Sequence, residues 1–297
     1  MMKSSIAMIV LLLFAAGHVI AAEMKVPAGC MAVKGATPVG DTGSAATDGY
    51  ASRVIHQKSG IELILCPPGS LSRAKKVTIG GVEVTFSKPF YVGRTEVTNG
   101  QYRKFLSARK AAGNPYDGRR DVDPAYDTYL AHFRGISITP GGDDYPVVFV
   151  SWLNARAFCK WAGLELPSEA EWEFACRAGT TTPYHFGGDA AKYPQYGWAL
   201  KNSGATTHKV AGLKPNNWGL HDMHGNVYEW CLDDYADGPV PPDGSPHVDA
   251  MLLTKSVRGG AWTGALLPSV GMSQSRFSSA PRNTHNDLGF RVVLRLP

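Results

Sequence analysis

Gly219-Leu220-His221-Asp222-Met223-His224-Gly225-Asn226-Val227-Tyr228-Glu229-Trp230 is the stretch whose reading decides the fold. Its Gly225-Asn226-Val227-Tyr228-Glu229 segment reads as a turn, with Asn226 suited to an Asx-type turn and Glu229 to accepting backbone N–H bonds. From Thr180 onward the chain is almost all turns, apart from strand candidates near Val257 and at Phe290-Arg291-Val292-Val293-Leu294. Regular elements become legible upstream. Ser168 and Glu171 have capping-box spacing behind Pro167 and predict a helix that buries Trp172, Ala175 and Cys176 and ends at Gly179. Ser151 caps another, with Trp152, Ala155, Cys159 and Ala162 as its stripe and Gly163 as its stop. Thr98 and Gln101 open a third, with Tyr102, Phe105 and Leu106 on one face.

Strand candidates precede these helices at Ile61-Glu62-Leu63-Ile64-Leu65 and from Val77 to Phe86, the latter broken by Gly80-Gly81. Between Ser107 and Tyr145 the pattern dissolves into Gly, Pro, Asp and aromatic residues, which suits a long surface excursion. Residues 23–58 are rich in Gly, Ala, Thr and Asp without a period and read as an extended N-terminal arm. Lys3, the apolar run Ile6 to Ala16 and the small-residue end Val19-Ile20-Ala21-Ala22 read as a cleaved secretory signal over residues 1–22, set against an uncleaved amphiphilic anchor. No later segment approaches the roughly 20 apolar residues a transmembrane helix needs.

Composition narrows the class. The 297 residues are 44% hydrophobic and 19% charged, which excludes a disordered chain. With 33 Gly and 20 Pro, long bundles and solenoids are excluded too, and a loop-rich α+β body is expected. The formal charge of +5 falls to +4 when Lys3 leaves with the signal, and no Lys/Arg run tracks a phosphate backbone, so nucleic acid is not an expected partner. All five cysteines lie in the mature part, where an oxidising compartment permits disulfides. Cys30 with Cys66, and one pair among Cys159, Cys176 and Cys231, is the expected pairing.

Three segments carry a family resemblance: Val150-Ser151-Trp152 through Leu166-Pro167-Ser168-Glu169-Ala170-Glu171-Trp172-Glu173; Pro215 through Trp230; and Arg258-Gly259-Gly260-Ala261-Trp262 with Leu288-Gly289-Phe290-Arg291. In order and spacing they resemble the formylglycine-generating enzyme and sulfatase-modifying factor domain, which places that domain at residues 59–297. The resemblance implies a C-type-lectin-like α+β fold with little regular structure, often calcium-stabilised, and a groove that grips a peptide.

The founding enzymes of this family oxidise a substrate cysteine with a pair of copper(I)-binding cysteines, thiolates being the ligands a soft ion prefers. This chain has no cysteine after Cys231, and the stretch Thr263 to Arg276, where the pair belongs, carries none. Ala261 stands where the family has a Ser, and Asp287 where it has an Asn before Leu-Gly-Phe-Arg. Copper and cysteine-to-formylglycine oxidation are therefore not expected. Neither is the iron-dependent sulfoxide synthesis of another branch, since no His-x-x-x-His-x-Glu occurs.

For the family's calcium loop, the resemblance implies Asn226 and Glu229 as side-chain ligands and Gly225 and Val227 as carbonyl ligands, an oxygen set suited to a hard cation. Asn202 stands where a second site would begin, but His208 follows only six residues later and the acidic loop that would complete it is missing. His221 and His224, three apart and near Glu229, also permit a two-histidine, one-carboxylate metal site, against local hydrogen bonding. Cys159 and Cys176 lie on apolar stripes and read as buried or disulfide-bonded rather than nucleophilic.

The substrate groove is assigned to Trp230, Trp262, Arg276, Arg282 and Asp287, flat apolar surface with a few oriented charges, although the tryptophans equally suit the core and the arginines the tethering of loops. Asp287 and Glu229 are the candidate acid–base residues. The expected function is that of a periplasmic or secreted maturation factor for a peptide-like substrate, as in the exported branch of the family that lacks the cysteine pair and matures a siderophore chromophore. The alternative is a non-catalytic envelope protein that recognises a protein partner.

Overall fold

Apolar runs without alternation need cover on both faces, and the central sheet of this molecule has it. The computed structural model describes residues 7–15, 18–37, 49–66, 77–79, 82–112, 142–238, 240–249, 251–264 and 271–297, with side chains from Met24 onward except within 77–79 and at Val82. In chain order the strands begin with β1 (Ala7–Ala15), β2 (His18–Val26), β3 (Cys30–Ala32), β4 (Arg53–His56), β5 (Glu62–Cys66), β6 (Val77–Ile79), β7 (Val82–Val84) and β8 (Phe90–Gly93). Helices α1 (Asn99–Ala111), α2 (Trp152–Ala162) and α3 (Glu169–Arg177) and a 3-10 turn, Ala190–Gln195, come next. The chain closes with β9 (Tyr228–Asp234), β10 (Lys255–Arg258), β11 (Phe277–Ser279), β12 (Leu288–Gly289) and β13 (Val293–Arg295).

The main sheet is antiparallel with order β13-β8-β5-β4-β3. Its register sends Val54, Leu63, Leu65 and Tyr91 to one face and Ile64, Cys66, Phe90 and Val92 to the other. The first face packs on Tyr102 and Phe105 of α1 and Phe158 of α2. The second packs on Trp172, Phe174 and Cys176 of α3. The sheet therefore divides two apolar cores, which is why Leu63 to Cys66 is buried throughout instead of alternating.

That division corrects the expected Cys30–Cys66 disulfide. Cys30 sits opposite His56 on the face of Val54, whereas Cys66 sits opposite Phe90 on the other face, so the sheet itself separates the two sulfurs. All five cysteines are free and buried. Residues expected as an extended arm also join the body: Met24 and Val26 are core residues, and β3 and β4 complete the sheet edge. Beyond them, β1 and β2 pair as a hairpin across the segment expected as a signal. The excursion expected between Ser107 and Tyr145 falls at 113–141 outside the described residues, and its first part continues α1.

Each helix starts at a reciprocal capping box: Thr98 with Gln101, Ser151 with Asn154, and Ser168 with Glu171. Gly163 ends α2 in left-handed backbone, while α3 is stopped one residue before Gly179, by Ala178 at φ 44°. The second sheet has order β11-β10-β9-β12, with β12 parallel to β9. Its longest strand, β9, was expected as turn; it is buried almost throughout, carries Glu229, Asp233 and Asp234, and so lacks the period-two signature of a half-exposed strand. Among the described residues no helix is long and apolar enough to cross a membrane.

Candidate functional site

The turn that precedes β9 is held from several sides. A Cβ on Gly225 would run into the Trp198 carbonyl, so the φ of 139° there is one only glycine meets without strain. Asn226 follows at φ 65°; its Nδ2 donates to Glu96 Oε1 at 3.0 Å, its Oδ1 accepts from His208 N at 2.9 Å and its carbonyl accepts from Trp262 N at 2.9 Å. This one residue thereby joins the segment before α1 and the 208 loop through its side chain, and the 262 loop through its backbone.

Glu229 is the first departure from expectation. Arg291 donates to both its oxygens at 2.6 Å and Trp172 Nε1 donates at 2.7 Å, and all three side chains are fully buried. Arg291 also donates to the carbonyls of Gly93 and His221, both at 3.0 Å. This carboxylate is neutralised by a guanidinium and closed to solvent, so the acid–base role sketched for it is corrected to a structural one: it holds β8, α3, β9 and the 290–292 link between β12 and β13 together.

The same geometry tests the fit of calcium. A cation approaching Glu229 would meet Arg291 already bound there. The buried carboxylate oxygens without a hydrogen-bond partner are instead Glu96 Oε2 and Asp222 Oδ1, beside Asn226. Burial, and then Asp222, raise the Glu96 carboxyl well above the usual range, and burial pushes Asp222 up to about 6. Two crowded carboxyls with orphaned oxygens fit a hard cation better than Glu229 does. At the position expected to open a second site, Asn202 holds its own loop, accepting from Ala199 N and donating to Gly197 O.

His221 and His224 do not converge. His221 bonds Leu213 O through Nδ1 and lies 3.1 Å from Arg94 through Nε2. His224 donates from Nδ1 to Gly271 O at 2.7 Å and accepts from His185 N at Nε2, which fixes a neutral ring, and burial pushes its pKa down to about 3. With Glu229 closed by Arg291, the two-histidine, one-carboxylate site is not assembled. Among the described residues no group of three or more His, Cys, Asp or Glu is arranged to hold a metal. Cys176 lies 3.8 Å from His224 Nε2, but burial pushes its thiol up to about 12, and Cys159 is raised further by the same cause, so neither is a poised nucleophile.

The expected groove residues separate into three groups. Trp230 is core: it is fully buried and donates from Nε1 to Val150 O at 2.9 Å, which removes it from the groove. Arg276 is tied to Glu169 through Nη2 at 2.6 Å, donates to Gly238 O and lies over Tyr235. Glu169 in turn reaches the fully buried Arg258, whose Nη2 pairs with Glu173, itself bound by Arg177. Arg276 therefore ends a buried charge network rather than facing a ligand, and Arg282 is exposed.

Asp287 and Trp262 are linked only through their chain neighbours. Trp262 Nε1 donates to Asn286 O at 3.2 Å, and the neighbouring Thr263 hydroxyl donates to Asp287 Oδ2 at 2.5 Å. Asp287 lines a cavity of about 330 Å³ with Tyr228, Val257, Phe277, His285 and Leu288. Tyr228 and Phe277 meet edge to face at 5.1 Å, and burial, then the Asp287 charge, raise the Tyr228 phenol. Sequence reading missed Thr263, Tyr228, Phe277 and His285, because only the return of β11 and the 285 turn against β9 brings them to Asp287. What the arrangement offers chemically is one oriented carboxylate at an aromatic, largely apolar recess.

The Sulfatase-modifying factor enzyme 1-like domain family matches residues 52–296. The chain is 32% identical over 183 residues to serine/threonine-protein kinase pkn1 of Chlamydia pneumoniae, a match covering 58% of this chain but only 28% of that protein. It is 29% identical over 255 residues to the formylglycine-generating enzyme of Streptomyces coelicolor, covering 69% of this chain and 78% of that one. Among solved structures it is similar to PvdO from Pseudomonas aeruginosa, with TM-score 0.62 and 26% identity, covering 80% of this chain and 96% of that chain.

Proposed function

Because the chain belongs to the sulfatase-modifying factor enzyme 1-like domain family, we propose that it is an exported maturation factor that binds a peptide-like substrate beside Asp287 without copper-dependent cysteine oxidation. Its likeness to PvdO, a pyoverdine maturation protein, supports a role of the maturation-factor kind. The observation that carries the reading is the Asp287 carboxylate, held at Oδ2 by Thr263 and placed at the recess of Tyr228 and Phe277. In this reading Thr263 orients the carboxylate, Oδ1 takes a proton from a ring or amide of the substrate, and the aromatic walls offer that substrate an apolar face to lie on.

The test is genetic and chemical. A strain lacking this chain is expected to accumulate an immature exported peptide visible by mass spectrometry, which wild type restores and Asp287→Ala or Thr263→Val does not. Full restoration by Asp287→Ala overturns the assignment. The same reading places calcium beside Asn226, with Glu96 and Asp222 supplying carboxylate oxygens and Gly225 and Val227 carbonyl oxygens; when bound, the ion neutralises two buried acids and rigidifies the turn. The exposed side chains Val248, Met251 and Leu253, 70%, 85% and 84% accessible on one loop, favour a second reading, a binding surface for a protein partner. A stoichiometric partner lost on Met251→Ser and Leu253→Ser, with peptide maturation unchanged, supports it.

A further inference from the structure

The register of the second sheet fixes what the Asp287 recess is made of. Phe277 of β11 stands opposite Val257 of β10, Val257 opposite Trp230 of β9, and Leu288 of β12 opposite Tyr228 of β9. Partners across a ladder share a face, and Tyr228 and Trp230, two apart on one strand, share it as well. Phe277, Val257, Tyr228 and Leu288 therefore form one apolar row across all four strands, β11-β10-β9-β12, and each of them lines the recess. Val257 and Leu288 are buried in the core behind this face, whereas Tyr228 and Phe277 are only partly covered. Four strands are three spacings of about 4.8 Å, so the recess is a trough roughly 14 Å long, with Ser279 at its β11 end and Asp287 at its β12 end.

The two ends differ in charge. Ser279 is neutral, and its hydroxyl accepts from Asn283 Nδ2 at 3.1 Å. Asp287 is an acid without an ion-pair partner among the described residues, since Arg276 is bound to Glu169, and its Oδ2 is held by Thr263. His285 lies at the same end and is exposed. With a volume of about 330 Å³ spread over its length, the trough is narrow. Tyr228 and Phe277 already meet edge to face at 5.1 Å, so they wall it and leave no slot between them for a third ring. An unbranched aliphatic chain with a terminal ammonium matches each part: its methylenes cover the apolar row, and its charge meets a carboxylate beside the Tyr228 ring. We infer that this recess takes an alkylammonium group laid across the sheet face with its nitrogen on Asp287. This rests on the reading of Asp287 as the substrate site and names the part of the substrate that enters there.

The probes are n-alkylammonium ions from propyl to octyl, with octanoate and 1-octanol as the anionic and neutral counterparts, titrated against the full chain by NMR. Each added methylene is expected to tighten alkylammonium binding about 3-fold. Octylammonium is expected to bind about 10-fold more tightly than octanoate, a ratio that narrows in high salt. Asp287→Asn is expected to bring the two within about 3-fold of each other and to leave octanol binding unchanged. On the wild-type chain, which needs no variant to fold, octylammonium should shift the resonances of Phe277, Val257, Tyr228 and Leu288. Octanoate or octanol binding as tightly as octylammonium, affinity indifferent to chain length, shifts confined to other residues, or failure of every probe to bind each overturn this inference and leave the substrate-site reading standing. Full peptide maturation in the Asp287→Ala strain overturns both.

Discussion

Glu229 and Arg291 stand 62 positions apart, and each is fully buried with the other as its counter-charge. Removing one partner leaves a charge in a low-dielectric interior, so Glu229→Gln is expected to destabilise the fold by roughly 3–5 kcal/mol in urea titration. Adding Arg291→Met should cost less than the two single changes summed, since both charges then leave together; additive losses would show that the pair is not the unit described. Glu96 and Asp222 present the opposite situation, two acids each with an orphaned oxygen and, among the described residues, no ion pair, Arg291 acting on them only from its place on Glu229. Chelator treatment is expected to lower the melting temperature and added calcium to restore it, with Asp222→Asn abolishing the response. A melting curve indifferent to calcium and chelator removes the ion. Neither role was legible from residue type: the sequence presents Glu229 and Asp222 as two acids around one turn, and only partners far along the chain distinguish them.

At the scale of elements, the three helix starts were readable because a capping box is a contact between residues three apart, complete within the local sequence. Strand β9 was not, because its acids are buried by partners elsewhere. Asp233 is the clearest case: from β9 it accepts from Glu169 N, the first residue of α3, at 2.8 Å and from His247 N at 2.9 Å. Burial pushes it up to about 7, with the neighbouring Glu169 charge adding to the shift. The sign follows from the ordinary aspartate value of about 3.9 in the unfolded chain. A native pKa above the unfolded one means the protonated acid favours folding, so this contribution is complete below about pH 4 and is lost as pH rises through about 7. Between pH 5 and pH 8 the wild-type chain should therefore lose on the order of 2 kcal/mol relative to Asp233→Asn, measured by urea unfolding at both values. Equal pH slopes for the two proteins would refute the assignment.

For the molecule as a whole, the decisive feature is that a sheet buried on both faces separates two cores. Cysteine spacing could not reveal which core each sulfur enters, because a shift of one residue along a strand exchanges the faces. The register settles it for the main sheet, with Cys30 in the core of α1 and α2 and Cys66 in the core of α3. Stability in a fold of this design would then come from apolar burial and buried ion pairs rather than from covalent cross-links. Five thiols per chain should titrate when the protein is denatured without reductant, and almost none while it is folded, since all five are buried. Reductant should leave the melting temperature unchanged, because there is no bond whose loss would enlarge the unfolded ensemble. A count of three or one in the denatured chain, together with a melting temperature that falls on reduction, would mean that a disulfide forms after all and that strand register or core assignment differs from that described.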